Sequence, residues 1–367
     1  MREPGEVRRQ RILAVVESRG AVKVTDLASE LEVSVVTARR DVEELARAGR
    51  LRRGHGIARP VTDALEPSTP QPAPPDRPGG PVALVVPERH TYLYEAMDGA
   101  RAVLAEAGIR IALHIAPQAP GAERPIVERA LADGARGLLI APRWRTAASE
   151  AADADWLSRI RVPTVLMERR PLPGGPLHAV DSVCSDHWYG MWLAVEHLTG
   201  LGHRRIVLAA RDDSPTARAL RAAFTGIVAD RPGVEDSVVV LSAKDAGGDS
   251  GETAPESLAS LLRERGATAA VLHGDVDALM LVQQLADSGV RVPEECSVVA
   301  YDDVVAALGS TPLTAVSPPK SEVGRVAAAL LLERLDGTRA SAPGRPRRVE
   351  LLPELKVRGS TRTAPIV

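Results

Sequence analysis

Residues 34–40 read SVVTARR, which sets two hydroxyls and two guanidinium groups within two turns of a predicted helix. On that helix Val35, Ala38, Val42 and Leu45 fall at i, i+3, i+7 and i+10 and form one apolar stripe, so Val36, Thr37, Arg39 and Arg40 point away from it. Ser34 is placed to cap the helix. Such a surface can read a duplex. A guanidinium donates two parallel bonds to guanine, a threonine methyl meets a thymine methyl, and the backbone amides behind the cap hold a phosphate. Further on, RLRRGHGIAR gives two short extended arms with Arg53 and His55, suited to flanking phosphates or the minor groove.

A second group of residues follows apolar runs later in the chain. VALVV, IRIALHI, GLLIA, PTVLM, RIVLAA, SVVVLS, AAVLH and SVVAY read as strands, most followed by an amphipathic helix, and that alternation predicts a doubly wound parallel α/β sheet. In such sheets ligands sit beyond the carboxyl ends of the strands. The segments there are Pro87–Tyr94, Pro142–Arg145, Glu168–Arg170, Arg211–Arg218, His273–Asp277 and Tyr301–Asp303. They hold Tyr92, Tyr94 and Trp144 in a chain with only 4 Trp, 4 Tyr and 1 Phe, so aromatic side chains are concentrated there. Rings beside carboxylates and arginines suit a small polyhydroxylated molecule such as a sugar, with its C–H face on a ring and its hydroxyls on charged groups.

These two groups need separate frames. The 367 residues exceed one ordinary core. Residues 1–60 carry 13 Lys+Arg against 9 Asp+Glu, net +4, which leaves 46 − 13 = 33 against 48 − 9 = 39, net −6, for the rest. A basic head on an acidic body points the head at a polyanion. Between them, RPVTDALEPSTPQPAPPDRPGGP carries eight prolines and no apolar period, which predicts an extended, semi-rigid linker. The expected domains are therefore 1–59, linker 60–81 and body 82–367. The head reads as three helices, one from Glu6 to Arg19 stopped at Gly20, one from Thr25 to Glu32 and one from Val35 to Gly49, with the two arms as a wing.

Other classes find little support. No apolar run approaches the roughly 18 to 20 residues a bilayer crossing needs, and the first residues lack a signal-peptide core, so the expectation is a cytoplasmic protein without membrane contact. That also disfavours a transporter's solute-binding component. DAGGDSGE lacks the Lys-Ser/Thr of a phosphate-binding loop, RGHG is too short for a dinucleotide fingerprint, and the eight histidines show no metal spacing. No Ser, His and Asp stand out as a triad. Cys184 and Cys296 read as small buried hydrophobes. The expectation is no enzyme, cofactor or metal.

Residues 8–58, above all VSVVTARRDVEELARAG followed by LRRGHG, resemble the DeoR-type winged helix-turn-helix. By position that resemblance implies Ser34, Val36, Thr37, Arg39 and Arg40 as DNA-facing, with Arg53 and His55 on the wing. The body resembles the LacI/GalR-family sensor, a periplasmic-binding-protein-like fold, at LAVEHLTGLGHRRIVLAA, DSPTARALRAAFTGI, SGVRVPEECSVVAYDDVVAALGSTPLTAV and EVGRVAAALLLERL. It implies two lobes (about 82–179 with 318–342, and 180–317 with 343–367), a homodimer on palindromic operator DNA, and repression. It assigns Arg218 and Asp302 to a sugar effector and points to Glu168 and Asp275. Two positions depart from the pattern: Gly274 replaces the usual asparagine, and Pro318 a usual polar residue. They keep open the alternative of constitutive DNA binding with a non-functional or non-sugar pocket. The prolines also replace the short hinge helix usual there, so none is expected between 62 and 80.

Overall fold

The computed structural model describes residues 9, 12–13, 15–16, 22–24, 27–28, 33–47, 50–54, 57–60, 79–88, 91–242, 257–337 and 345–365. They form two units, residues 1–73 and 74–367. In the first, helical residues at 9, 12–13 and 15–16 precede β1 (Val22–Lys23), α1 (Val35–Arg47), β2 (Leu51–Gly54) and β3 (Ile57–Pro60). The strands form an antiparallel sheet in the order β1-β3-β2. The expected stripe lies in the core: Ala38, Val42 and Leu45 are buried with Ile12, Leu13, Val16, Leu27 and Leu51. β1 was not expected, because two residues carry no period-2 signal. The expected helix ends at Gly20, Thr25, Glu32 and Gly49, and linker residues 61–78, lie outside the described residues.

The body holds two six-stranded sheets. The first, ordered β14-β8-β7-β6-β4-β5, is parallel and comprises β4 (Val82–Pro87), β5 (Ile111–Ala116), β6 (Gly137–Ile140), β7 (Thr164–Met167), β8 (Asp181–Ser185) and β14 (Arg348–Leu351). The second, ordered β10-β9-β11-β12-β13-β15, has β9 (Arg205–Ala209), β10 (Asp236–Val240), β11 (Ala269–Leu272), β12 (Ser297–Tyr301) and β13 (Thr314–Ser317), with β15 (Glu354–Lys356) antiparallel at its edge. The connecting helices are α2 (Thr91–Glu106), α3 (Glu123–Ala132), α4 (Ala147–Ser158), α5 (His187–Gly200), α6 (Pro215–Ala229), α7 (Leu258–Arg265), α8 (Asp275–Asp287) and α9 (Lys320–Gly337). All eight expected strands are present. β8, β13, β14 and β15 were missed, being three to five residues long and mixing Asp, Ser, Arg or Glu with apolar residues.

Strand pairing corrects two of the three expected interlobe crossings. Val165 pairs with Asp181 and Arg348 with Ser182, so residues 181–185 and 348–351 complete the first sheet. The chain therefore crosses at Asp186 rather than near 180, and at Leu352–Pro353 rather than near 343; the crossing near 317 falls at Pro318–Pro319. The start of β8 is tied to α9, where Arg334 donates Nε (2.6 Å) and Nη2 (2.8 Å) to the buried Asp181 carboxylate.

α9 returns to the first sheet and packs on α2 with backbone in contact. A Cβ on Gly324 would overlap Ala96 O, and one on Gly99 would overlap Ser321 O. Because neither backbone can yield, Gly324→Ala is expected to destabilise the body by about 2 to 3 kcal/mol, seen as a thermal midpoint lower by about 5 °C or more. An unchanged midpoint would disprove this close crossing.

Candidate functional site

The loops that follow the parallel strands of each lobe carry the candidate residues. Glu168 follows β7 and is 3% exposed; its Oε1 accepts from Tyr92 Oη (2.7 Å) and Ser185 Oγ (2.9 Å), and its Oε2 from Ser185 N (3.0 Å). Tyr92 reaches it from α2 while Ser185 ends β8, so the Glu168 carboxylate is held from two sides. Burial and the neighbouring carboxylates of Glu168 and Asp302 push the Tyr92 phenol well above its ordinary value, so Tyr92 remains a proton donor.

Asp302 enters from the other lobe, behind β12, with φ 100°. Its Oδ1 is buried and without a hydrogen-bond partner among the described residues. Burial, then the charge of Asp275, raises the carboxyl to about 7. Lys320, the first residue of α9 and 3% exposed, donates Nζ to Asp302 O (2.6 Å) and lies 5.6 Å from the Tyr92 ring centroid. Tyr92, Glu168, Ser185, Lys320 and Asp302 thus form one polar cluster drawn from both lobes.

Arg218 also joins the lobes. From α6 its Nη1 donates to the carbonyls of Trp144 (2.9 Å) and Arg145 (2.8 Å), and its Nη2 to Glu150 (3.3 Å). Arg169 is buried beside Glu168 and donates to Pro142 O and to Glu168 O (2.7 Å); burial lowers its guanidinium to about 10. Among the described residues, the non-glycine positions with positive φ are Trp144, Glu168, Asp302 and Asp303, all at these strand ends. Such backbone persists only where the surroundings enforce it, and it gathers at ligand clamps.

Three expected site residues are placed differently. Tyr94 is 55% exposed; two helical residues from Tyr92, it lies about 200° around α2 and faces away from the cluster. The Trp144 ring is buried in the first lobe's core, with Nε1 donating to Asp153 (2.9 Å), so it contributes its carbonyl rather than a stacking face. Asp275 is 2% exposed, and its Oδ2 accepts from Val304 N, Val305 N and Ala306 N, which anchors the loop behind Asp302. Ser185 and Lys320 were not singled out from sequence. Lys320 had a signal, a lysine just past an interlobe crossing in SPPKSE. Among the described residues no group of His, Cys, Asp or Glu could hold a metal ion, and no helix is long and apolar enough to cross a membrane.

In the head, Ser34 Oγ accepts from Thr37 N (3.1 Å) and contacts Thr37 Oγ1 (2.8 Å), so the cap engages the Thr37 hydroxyl. Arg39 and Arg40 are exposed. Arg40 lies about 180° around α1 from the buried stripe. The side chains of Val36 and Arg53, and all of His55, lie outside the described residues.

The family model described as a DeoR-like helix-turn-helix domain matches residues 8–63, and that of the periplasmic binding protein-like domain matches residues 195–361. The HTH-type transcriptional regulator MalR of Streptomyces coelicolor is 31% identical over 303 residues, 78% of this chain and 82% of MalR. The chain spans between 52% and 62% of the length of seven further curated relatives, among them the repressor CytR of Escherichia coli. Among solved structures, the LacI family regulator CCPA of Weissella paramesenteroides with bound sucrose superposes with a TM-score of 0.60 at 20% identity, covering 77% of this chain and 98% of that one. The lac repressor dimer bound to operator and an anti-inducer gives a TM-score of 0.60 at 21% identity, covering 77% and 94%.

Proposed function

This chain belongs to the LacI/GalR family of transcriptional regulators, and on that premise we propose that it is a repressor whose grip on operator DNA is set by a sugar-like effector bound between the lobes. Asp302 carries the proposal. A buried acceptor without a partner costs about 1 to 3 kcal/mol, and Asp302 Oδ1 sits in that state beside Tyr92, Glu168 and Lys320. A ligand hydroxyl donating to Oδ1 relieves it. Tyr92, Ser185 and Lys320 can then hold neighbouring hydroxyls, while Glu168 accepts from others. A polyhydroxylated ligand satisfies such a mixed set of donors and acceptors. The solved neighbours support this reading, since one holds sucrose and another ribose.

Coupling to DNA follows from Arg218. Its bonds to Trp144 O and Arg145 O fasten α6 to the first lobe, so a ligand that changes them changes the lobe angle. In a dimer that angle sets the spacing of two heads on a palindrome. A dimer is supported by Leu113 and Ile115, exposed on the edge strand β5. Such a regulator works in the cytoplasm, with no catalytic role.

Isothermal calorimetry against a panel of mono- and disaccharides and nucleosides tests the reading: heat of binding to one member, lost in Asp302→Asn, supports it, and a panel without binding overturns the sugar assignment. The titration of Asp302 adds a pH dependence. Its carboxyl is raised to about 7 in the folded chain, so the protonated form favours folding. That stabilisation is present in mild acid and is lost as pH rises through about 7. The thermal midpoint of the ligand-free protein is expected to fall by about 2 to 4 °C between pH 5.5 and pH 8, with a smaller fall in Asp302→Asn. Effector affinity runs the other way and strengthens above pH 7, because an ionised carboxylate is the better acceptor.

A further inference from the structure

The edge of the first sheet opposite the cleft carries a row of arginines. The segments leading into its strands, 79–81, 107–110, 133–136, 159–163 and 345–347, contain Arg110, Arg136, Arg159, Arg161, Arg345 and Arg347 against one carboxylate, Asp133. The corresponding segments of the second sheet, 201–204, 230–235, 266–268, 288–296 and 309–313, contain three arginines against four acids. Arg159 pairs with Asp155 and Arg347 with Glu333, which leaves Arg110, Arg136, Arg161 and Arg345 without an ion pair among the described residues. Arg110, Arg161 and Arg345 are exposed, while Arg136 Nε is buried without a hydrogen-bond partner. Arg161, Arg334, Arg345 and Arg347 line one depression, in which Asp181 and Glu333 pair with Arg334 and Arg347 and leave Arg161 and Arg345 over. A chain whose residues after the head carry net charge −6 therefore concentrates free positive charge on one edge.

That edge is also where the chain arrives from the head. Arg136 N donates to Pro81 O and Val82 N to Arg110 O, so the linker's last residues enter in the middle of the row. With strands about 4.8 Å apart, six strands give an edge of about 24 Å, and duplex DNA carries one phosphate charge per about 1.7 Å of axis. Residues 61–80 have a contour of at most about 70 Å, which keeps DNA held by the head within reach.

We propose that this arginine edge is a second DNA contact, gripping the backbone phosphates that flank the site read by the head. The inference rests on the DNA-binding reading above and adds a surface on the body.

The test uses the full-length protein and a labelled mixed-sequence 60-bp duplex, because phosphate contacts need no operator. Anisotropy titrations from 50 to 200 mM KCl compare the native sequence, the triple variant Arg110→Ala/Arg161→Ala/Arg345→Ala and the control Arg101→Ala, an exposed arginine on α2. The triple variant is expected to bind about tenfold more weakly at 100 mM salt, with the slope of log K against log salt reduced by about 0.9 per lost phosphate contact. The control and the thermal midpoint should not change. An unchanged slope in the triple variant overturns the proposal and leaves the head's reading intact. Absence of DNA binding by the native sequence overturns both.

Discussion

Asp302→Asn is expected to weaken effector binding about 30- to 100-fold, the worth of about 2 to 3 kcal/mol for a hydrogen bond to a buried charged group. The amide keeps the carboxylate's shape but offers an NH₂ where the effector hydroxyl needs an acceptor. DNA affinity without effector should be unaltered, because the hydrogen bonds of Asp302 within the fold run through its backbone, its N–H to Val316 O and its carbonyl from Lys320 Nζ. The variant should also be at least as stable as the native sequence at pH 8, since it removes a carboxylate that burial holds near 7. Calorimetry and a melting curve together check this. Weak binding with a lowered midpoint would indicate a damaged fold and count against the assigned role.

Arg40→Ala is the second large effect. Arg40 is exposed on the outward side of α1, opposite Ala38, Val42 and Leu45, and the substitution removes no core contact. If it reads a guanine, its loss should cost about 1 to 3 kcal/mol per half-site and relax the preference at that base pair. The salt slope should hardly move, which separates base readout from phosphate contact. Measuring the variant against operators substituted at each position locates the base. Uniform weakening across all of them would reassign Arg40 to the backbone.

Much of this was legible in the sequence because periodicity reports burial. The stripe of α1 was read from spacing, and the eight central strands were read from apolar runs, since buried parallel strands leave no polar face to confuse the pattern. The short edge elements were not legible. β14 and β15 contribute three or four residues each, and β8 hides a paired Asp181 among apolar residues. The interlobe crossings moved for that reason.

Site residues followed a similar rule. Glu168, Arg218 and Asp302 were selected by position behind strands and by resemblance; Glu168 and Asp302 lie near each other from opposite lobes, while Arg218 bonds the carbonyls of Trp144 and Arg145. Tyr94 and Trp144 were grouped with them because rings are scarce, but ring scarcity says nothing of direction. Two helical positions separate Tyr94 from Tyr92, and the indole of Trp144 packs inward on Asp153. Lys320 was missed because a lysine beside Glu322 at a helix start reads as solvated surface; only the fold puts it at 3% exposure under Asp302.

The central claim is that occupancy of the cleft sets the grip of the head on DNA. A footprint on the DNA upstream of the protein's own gene at about 150 mM salt, where phosphate contacts alone do not mimic specificity, tests it with and without the panel ligand that calorimetry identifies, and again for Asp302→Asn. The account predicts a protected palindrome whose protection shifts with ligand in the native sequence and not in the variant. Protection indifferent to a ligand that demonstrably binds the cleft would contradict it.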